Sequence, residues 1–98
     1  MKETNVTFAG GACGITMMRA GEKLADLCAK QGLRIRLSYV DLWTSDYLQP
    51  NVDLVIEMFA YYKNLKVPII SGRPFLSGRG EKELLEQIVS KIREITLQ

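Results

Sequence analysis

A glycine-rich segment, residues 10–14, joins a short apolar run to a stretch of helical period, and this junction constrains the fold more than any other feature. Residues 5–9 alternate apolar and polar side chains and stop at the first glycine, as a short strand does. From Met17 to Cys28 the apolar residues recur every three or four positions, which is typical of one face of a helix. Gly32 follows, where a left-handed cap is expected.

Strand-like segments recur further along the chain. Residues 33–40 alternate apolar and polar side chains, which predicts a strand with one polar face at an edge of its sheet. Residues 52–59 form an apolar-rich strand candidate. Residues 67–70 form another, but Pro68 cannot donate a ladder hydrogen bond, so this strand is expected at the opposite edge.

Two further segments have helical character. Apolar residues between Leu84 and Ile95 mark a C-terminal helix, with acidic residues near its start and basic residues near its end, as the helix dipole favours. Residues 41–51 are ambiguous: Asp41 or Thr44 could cap a short helix that Pro50 ends.

Alternation of strands and helices predicts an α/β fold with right-handed crossovers. With the second and fourth strands at the edges, we expect a four-stranded parallel sheet in the order 2-1-3-4 with about three helices. This is a small flavodoxin-like three-layer sandwich. A chain of 98 residues allows one domain, residues 1–98. Ligands of such sheets bind beyond the carboxyl ends of the strands, beside the first one, which here is the loop of residues 10–16.

Composition excludes several functions. The chain has no histidine, which removes Ser-His-Asp triads, histidine zinc sites and a phosphohistidine carrier. A net charge of +2 is too balanced to indicate nucleic-acid binding. Two cysteines cannot form a disulfide framework, and no apolar run approaches the ~18 residues of a membrane span. We expect a soluble cytoplasmic protein without a metal or cofactor.

The glycine-rich loop carries the candidate chemistry. Its glycines let backbone amides converge on an anion, although such a loop can also serve only to reverse the chain. Cys13 lies within it, where a helix dipole would stabilise a nucleophilic thiolate, the alternative being a small inert side chain. Cys28, on the apolar helix face, is expected in the core. The candidate phosphate-binding residues are Gly10, Gly11, Ala12, Gly14, Ile15 and Thr16.

One spacing favours a different activity. Cys13 and Arg19 are separated by five residues, as are the thiol and guanidinium of cysteine phosphatases, where the arginine grips the phosphate that the thiolate attacks. The likeness to low-molecular-weight phosphatases is distant, because Ala20 follows the arginine where those enzymes have serine. A small phosphatase is therefore the weaker alternative.

Residues 67–80 carry the most specific motif. They match the pattern Ile-Pro-x-x-x-Gly-x-Pro-Phe-x-Ser-Gly-x-Gly almost position for position, with Val67 in place of isoleucine. Together with the glycine-rich loop, this motif resembles the galactitol-type enzyme IIB subunit of the bacterial sugar phosphotransferase system. The resemblance implies a phosphoryl carrier, which takes phosphate from a phosphohistidine of enzyme IIA and passes it to sugar held by the membrane subunit, enzyme IIC.

The acceptor position departs from the family pattern. In an ungapped alignment the family cysteine falls on Ala9, which cannot carry phosphate. Either Cys13 is a displaced acceptor, or the chain is a non-catalytic interaction module that keeps the docking surface. We predict a site that involves Cys13.

Partner docking has its own candidates. Tyr61 and Tyr62 follow the third strand, on the side that a partner would approach, and aromatic residues are frequent anchors of interfaces. Arg73 and Arg79 are expected at the same end of the sheet, although either could be ordinary solvated charge. Trp43 is expected to be buried in the core.

Overall fold

The computed structural model describes residues 3–11, 14–44, 47–62 and 65–97. These residues form a sheet of four parallel strands and three helices. The strands are β1 (Thr4–Gly10), β2 (Ile35–Asp41), β3 (Leu54–Glu57) and β4 (Ile69–Ser71). The helices are α1 (Gly14–Lys30), α2 (Arg73–Ser77) and α3 (Glu81–Thr96). The strand order is β2-β1-β3-β4, which confirms the predicted sheet.

Both predicted edges are confirmed. Among the described residues β2 pairs only with β1, and all of its residues are exposed or half-buried, as expected of an edge strand. The alternation is not strict, since Leu37 and Ser38 are both half-buried and Tyr39 is exposed. β4 pairs with β3 over three residues and begins directly after Pro68, whose missing N–H limits the ladder. The two central strands, β1 and β3, are largely buried.

The core lies between one face of the sheet and the helices. Val6 and Phe8 of β1 pack there with apolar residues of β3, α1 and α3, and Cys28 is fully buried among them, as predicted. The three helices contact one another and contribute to the same core, so they lie on this one face of the sheet. Within the described residues the layers are therefore two and not the predicted three, because no described helix connects β2 to β3 or β3 to β4. On the opposite face β1 presents small side chains: Thr7, which is bonded to Ser38 (Oγ1–Oγ 2.7 Å), and Ala9, and both are buried.

Two local predictions differ from the structure. Within the described part of residues 41–51 there is no helix, because the Asp41 carboxylate accepts a hydrogen bond from the Trp43 amide (3.0 Å) and so holds a tight turn. The prediction that Trp43 is buried is therefore wrong: the turn carries it past the end of β2, and its side chain is 77% exposed. The third helix is instead α2, within the motif of residues 67–80, where the sequence analysis proposed no helix.

Candidate functional site

The site predicted from sequence lies where β1 ends and α1 begins. β1 ends at Gly10, and α1 starts at Gly14 on the same edge of the sheet, between the carboxyl ends of β2 and β3. Cys13 and Ala12 lie outside the described residues. Ala9 is fully buried in β1, paired with Val40 on one side and Glu57 on the other. A methyl side chain enclosed in the sheet offers no acceptor for phosphate.

The first turn of α1 provides backbone amides that make no hydrogen bond within the helix. The amides of Gly14, Ile15 and Thr16 have no acceptor within the helix, as in any helix N-terminus. Gly14 and Ile15 are exposed, and Thr16 is half-buried. The turn contains no acidic residue, so no carboxylate of its own neutralises the positive end of the helix dipole. Chemically, this end of α1 suits an anion.

The turn after β2 forms one side of the loop, a feature that sequence analysis missed. The Leu42 amide donates to the Gly10 carbonyl (2.8 Å), and the Trp43 indole lies directly against the backbone of Gly11. A hollow of about 220 Å³ opens beside Gly11 and Gly14 and is lined largely by apolar side chains, among them Met18 and Tyr39. In the sequence, the local signal of this turn is the aspartate that lies two residues before Trp43.

Arg19 lies apart from the loop backbone. It is the sixth residue of α1, about 7.5 Å along the axis from Gly14 at 1.5 Å per residue. It lines a cleft of about 170 Å³ with Thr16, Phe75 and Glu81. Because residues 14–18 are helical, they do not form a loop that could wrap a phosphate between Cys13 and Arg19. This geometry disfavours the phosphatase alternative.

Exposed apolar side chains surround the same edge of the sheet. Each of them follows the carboxyl end of a strand by eight residues or fewer. We call this set the carboxyl-edge patch; it comprises Ile15, Met18, Trp43, Phe59, Tyr61 and Leu76. Exposed apolar residues are common on protein surfaces, and Tyr39, Tyr47 and Leu97 are exposed as well. The group that follows the strand ends is therefore a candidate interaction surface.

The aromatic residues after β3 are held by Glu57. Its Oε2 accepts hydrogen bonds from the amides of Tyr61 (3.3 Å) and Tyr62 (3.1 Å). The rings of Tyr61 and Tyr62 meet edge to face at 5.2 Å, and Phe59 meets Tyr61 in the same way at 6.4 Å. A carboxylate at the end of β3 thus orders the loop that carries the predicted docking tyrosines.

Arg73 begins α2 and Arg79 follows its end, on the side of the sheet where β4 finishes. Both are exposed, and within the described ranges neither guanidinium has an ion-pair partner. Their amides donate to Ser71 Oγ (3.4 Å) and Ser77 Oγ (3.2 Å) respectively. β4 is separated from β1 by β3, so the two strands lie about 10 Å apart at 4.8 Å per strand, and Arg73 follows β4 by two residues.

The glycines in the motif of residues 67–80 have structural roles. An added Cβ at Gly72 would lie 2.7 Å from Met58 Sδ and 3.0 Å from Ile56 Cγ2, so any other residue would force these side chains to shift. Gly78 and Gly80 adopt left-handed φ values of 78° and 73°, which other residues adopt rarely. The motif therefore encodes the geometry that connects β4 to α3 through α2.

Comparison with known proteins identifies no family for this chain. No family model matches the chain, and no curated protein is significantly similar to it. No described helix is long and apolar enough to cross a membrane. Within residues 3–11, 14–44, 47–62 and 65–97, no three His, Cys, Asp or Glu side chains cluster as metal ligands would.

Proposed function

We propose that this protein is a phosphoryl-carrier subunit of the enzyme IIB type in a sugar phosphotransferase system. One observation carries the proposal: in a 2-1-3-4 parallel sheet, the first-turn amides of α1, which have no acceptor within the helix, begin immediately after Cys13 in the chain. The motif of residues 67–80 supports it independently. A cytoplasmic location is part of the proposal, since the donor subunit and the inner face of the transporter meet there.

The proposed chemistry needs a thiolate and a set of amides. The Cys13 thiolate attacks the phosphorus of the enzyme IIA phosphohistidine in line; the P–N bond breaks, a P–S bond forms, and the leaving imidazole takes up a proton. The amides of Gly14, Ile15 and Thr16 hold the phosphoryl oxygens during transfer. A hydroxyl of the sugar bound by enzyme IIC then attacks the same phosphorus, the P–S bond breaks, and the hydroxyl proton is released.

Docking of both partners is assigned to the carboxyl edge. The carboxyl-edge patch supplies apolar contact area, and Tyr62 lies beside it on the loop that Glu57 holds. Arg73 and Arg79 supply positive charge for acidic residues or for the phosphoryl group itself. The direct partners are thus enzyme IIA and enzyme IIC, and the sugar is met only through the latter.

Radiolabelled phosphoenolpyruvate, the general phosphotransferase components and a matched enzyme IIA test the proposal. Wild-type protein is expected to take up one phosphoryl group, and Cys13→Ser none. Cys28→Ala is the matched control, because it removes the other thiol from the buried core and is expected to leave labelling intact. Unchanged labelling of Cys13→Ser would remove Cys13 from the role.

Ala9 favours a second candidate function. The family-aligned acceptor position is a buried alanine, so a non-catalytic interaction module of the same fold would keep the carboxyl-edge patch without phosphotransfer. This alternative predicts that wild-type protein binds enzyme IIA but takes no label. Turnover of para-nitrophenyl phosphate would instead indicate the phosphatase, which the helical residues 14–18 disfavour.

A further inference from the structure

Gly11 and Trp43 lie so close together that a side chain at Gly11 would displace the indole. A Cβ added at Gly11 would overlap the indole atoms Nε1 and Cδ1 of Trp43. Gly11 is not among the described glycines with a left-handed φ, so its backbone conformation is open to other residues. Contact with the indole, and not backbone strain, therefore requires glycine at this position.

The backbone of Trp43 is held by the turn that carries it. The Trp43 amide donates to Asp41 Oδ1 (3.0 Å), and the Thr44 amide and hydroxyl donate to the Asp41 carbonyl (3.1 and 3.0 Å). The same turn is bonded to the loop, since the Leu42 amide donates to the Gly10 carbonyl (2.8 Å). The turn of residues 41–44 therefore contacts the loop twice. Leu42 is hydrogen-bonded to Gly10, and the Trp43 indole packs against Gly11.

We infer that Trp43 is a positioning residue for the loop that receives the phosphoryl group. Its indole sets the backbone at Gly11, from which the chain leads through Cys13 to the first-turn amides of α1. The inference rests on the proposed function. Transfer depends steeply on the alignment of the reacting atoms, and a shift of about 1 Å can cost a hundredfold in rate. A residue that fixes this backbone therefore acts on transfer without contacting phosphate.

The contact can be broken from either side. Gly11→Ala pushes the indole away and is expected to slow transfer from phosphorylated enzyme IIA about tenfold, mainly in kcat. Trp43→Ala removes the ring and is expected to slow it about threefold, with Trp43→Phe between that variant and wild type. Leu97→Ala is the control, because Leu97 is 81% exposed and follows the end of α3, at the opposite edge of the sheet from the loop.

The double variant separates a specific contact from general damage. In Gly11→Ala/Trp43→Ala there is no indole to displace, so its rate is expected to equal that of Trp43→Ala alone. Additive losses would overturn the inference. So would a Gly11→Ala variant that transfers phosphate at the wild-type rate. If Gly11→Ala does not fold, the Trp43→Ala and Trp43→Phe series decides alone, and wild-type rates in both would overturn the inference.

A second readout does not need the donor protein. This readout is the rate at which iodoacetamide alkylates Cys13. Mass spectrometry distinguishes Cys13 from Cys28, which is buried and therefore protected, so the rate reports on the loop directly. It is expected to fall about threefold in Gly11→Ala and Trp43→Ala at constant folded fraction. Equal alkylation rates in all variants would overturn the inference. Failure of wild-type protein to take up label, with alkylation still sensitive to Trp43, would instead refute only the proposed function.

Discussion

The carboxylate of Glu57 accepts a hydrogen bond from the backbone amide of Tyr62, 3.1 Å away, and thereby ties the loop after β3 to the strand that it leaves. The Tyr61 amide shares the same oxygen at 3.3 Å. On the other side of Glu57, the Gly72 amide donates to its carbonyl (2.7 Å). One residue therefore connects the aromatic loop with the start of α2, both on the edge proposed to meet partners.

Glu57→Ala is expected to release this loop. Loss of two amide–carboxylate bonds at a half-exposed site costs about 1 kcal/mol, and affinity for the donor protein falls about fivefold. Glu57→Gln keeps an acceptor oxygen and is expected to lose less on both measures. Urea denaturation and titration calorimetry provide the measurements. Equal affinity of Glu57→Ala and wild type would show that the order of the loop does not matter for docking.

Tyr62→Ala is expected to weaken enzyme IIA binding about tenfold, as for an aromatic anchor within an interface. Leu97→Ala is the matched control, since Leu97 is 81% exposed and follows the end of α3, where Thr96 bonds to Thr4 at the opposite edge of the sheet. Titration of each variant with the donor subunit measures the effect. Equal affinities for the two variants would move the docking surface elsewhere.

Gly72→Ala is expected to destabilise the fold by about 1–3 kcal/mol, the usual cost of overpacking a close-packed interior. The Gly72 φ of −94° suits alanine, so the loss is steric: the new methyl meets fully buried Met58 and Ile56. Gly14→Ala, in open space at the first position of α1, is expected to be neutral or slightly stabilising. Urea midpoints compare the two. A neutral Gly72→Ala would mean that the Met58 side chain yields without cost.

Stability is expected to fall in alkaline solution. Burial raises the pKa of the Cys28 thiol above its ordinary value of 9.0. Burial, and secondarily the Glu22 carboxylate, raises the pKa of the Tyr39 phenol above 10.0. Because each folded-state pKa is the higher one, the unfolded chain releases these protons first. The associated stability is complete below pH 9 and is lost as the pH rises through the folded-state pKa values.

Cys28→Ala isolates the thiol contribution to this loss. Its free energy of unfolding is expected to be lower than that of wild type at pH 7, through lost packing, but to decline less between pH 9 and pH 11. Denaturant titrations across that range supply both quantities. Parallel declines in the two proteins would exclude Cys28 as a source of the pH dependence.

Much of the fold could be predicted because its signals are local. The alternation in residues 33–40 and the missing donor of Pro68 identify the two edges of the sheet, and these two edges leave one natural strand order. Gly32 has the left-handed φ of 73° expected beyond a helix end. Cys28 falls on the apolar face of α1, and burial follows from that position.

The features that sequence analysis missed depend on contacts between distant parts of the chain. Trp43 is exposed because its turn is bonded to Gly10, more than thirty residues earlier, and a general preference of tryptophan for burial gives no sign of it. α2 has five residues and buries Phe75 alone, so it is too short to show a helical period. Pro74 in its first turn is compatible with a helix and with a plain turn alike.

The edges of the sheet also bear on how the protein behaves at high concentration. A strand of another molecule that approached β4 would find three residues to pair with, directly after a proline. A strand that approached β2 would meet Arg36. If that strand were β2 of a second copy, its own Arg36 would carry the same charge, and the two would repel each other. Neither edge strand is a good template for cross-β growth, so the protein can be abundant without forming fibrils.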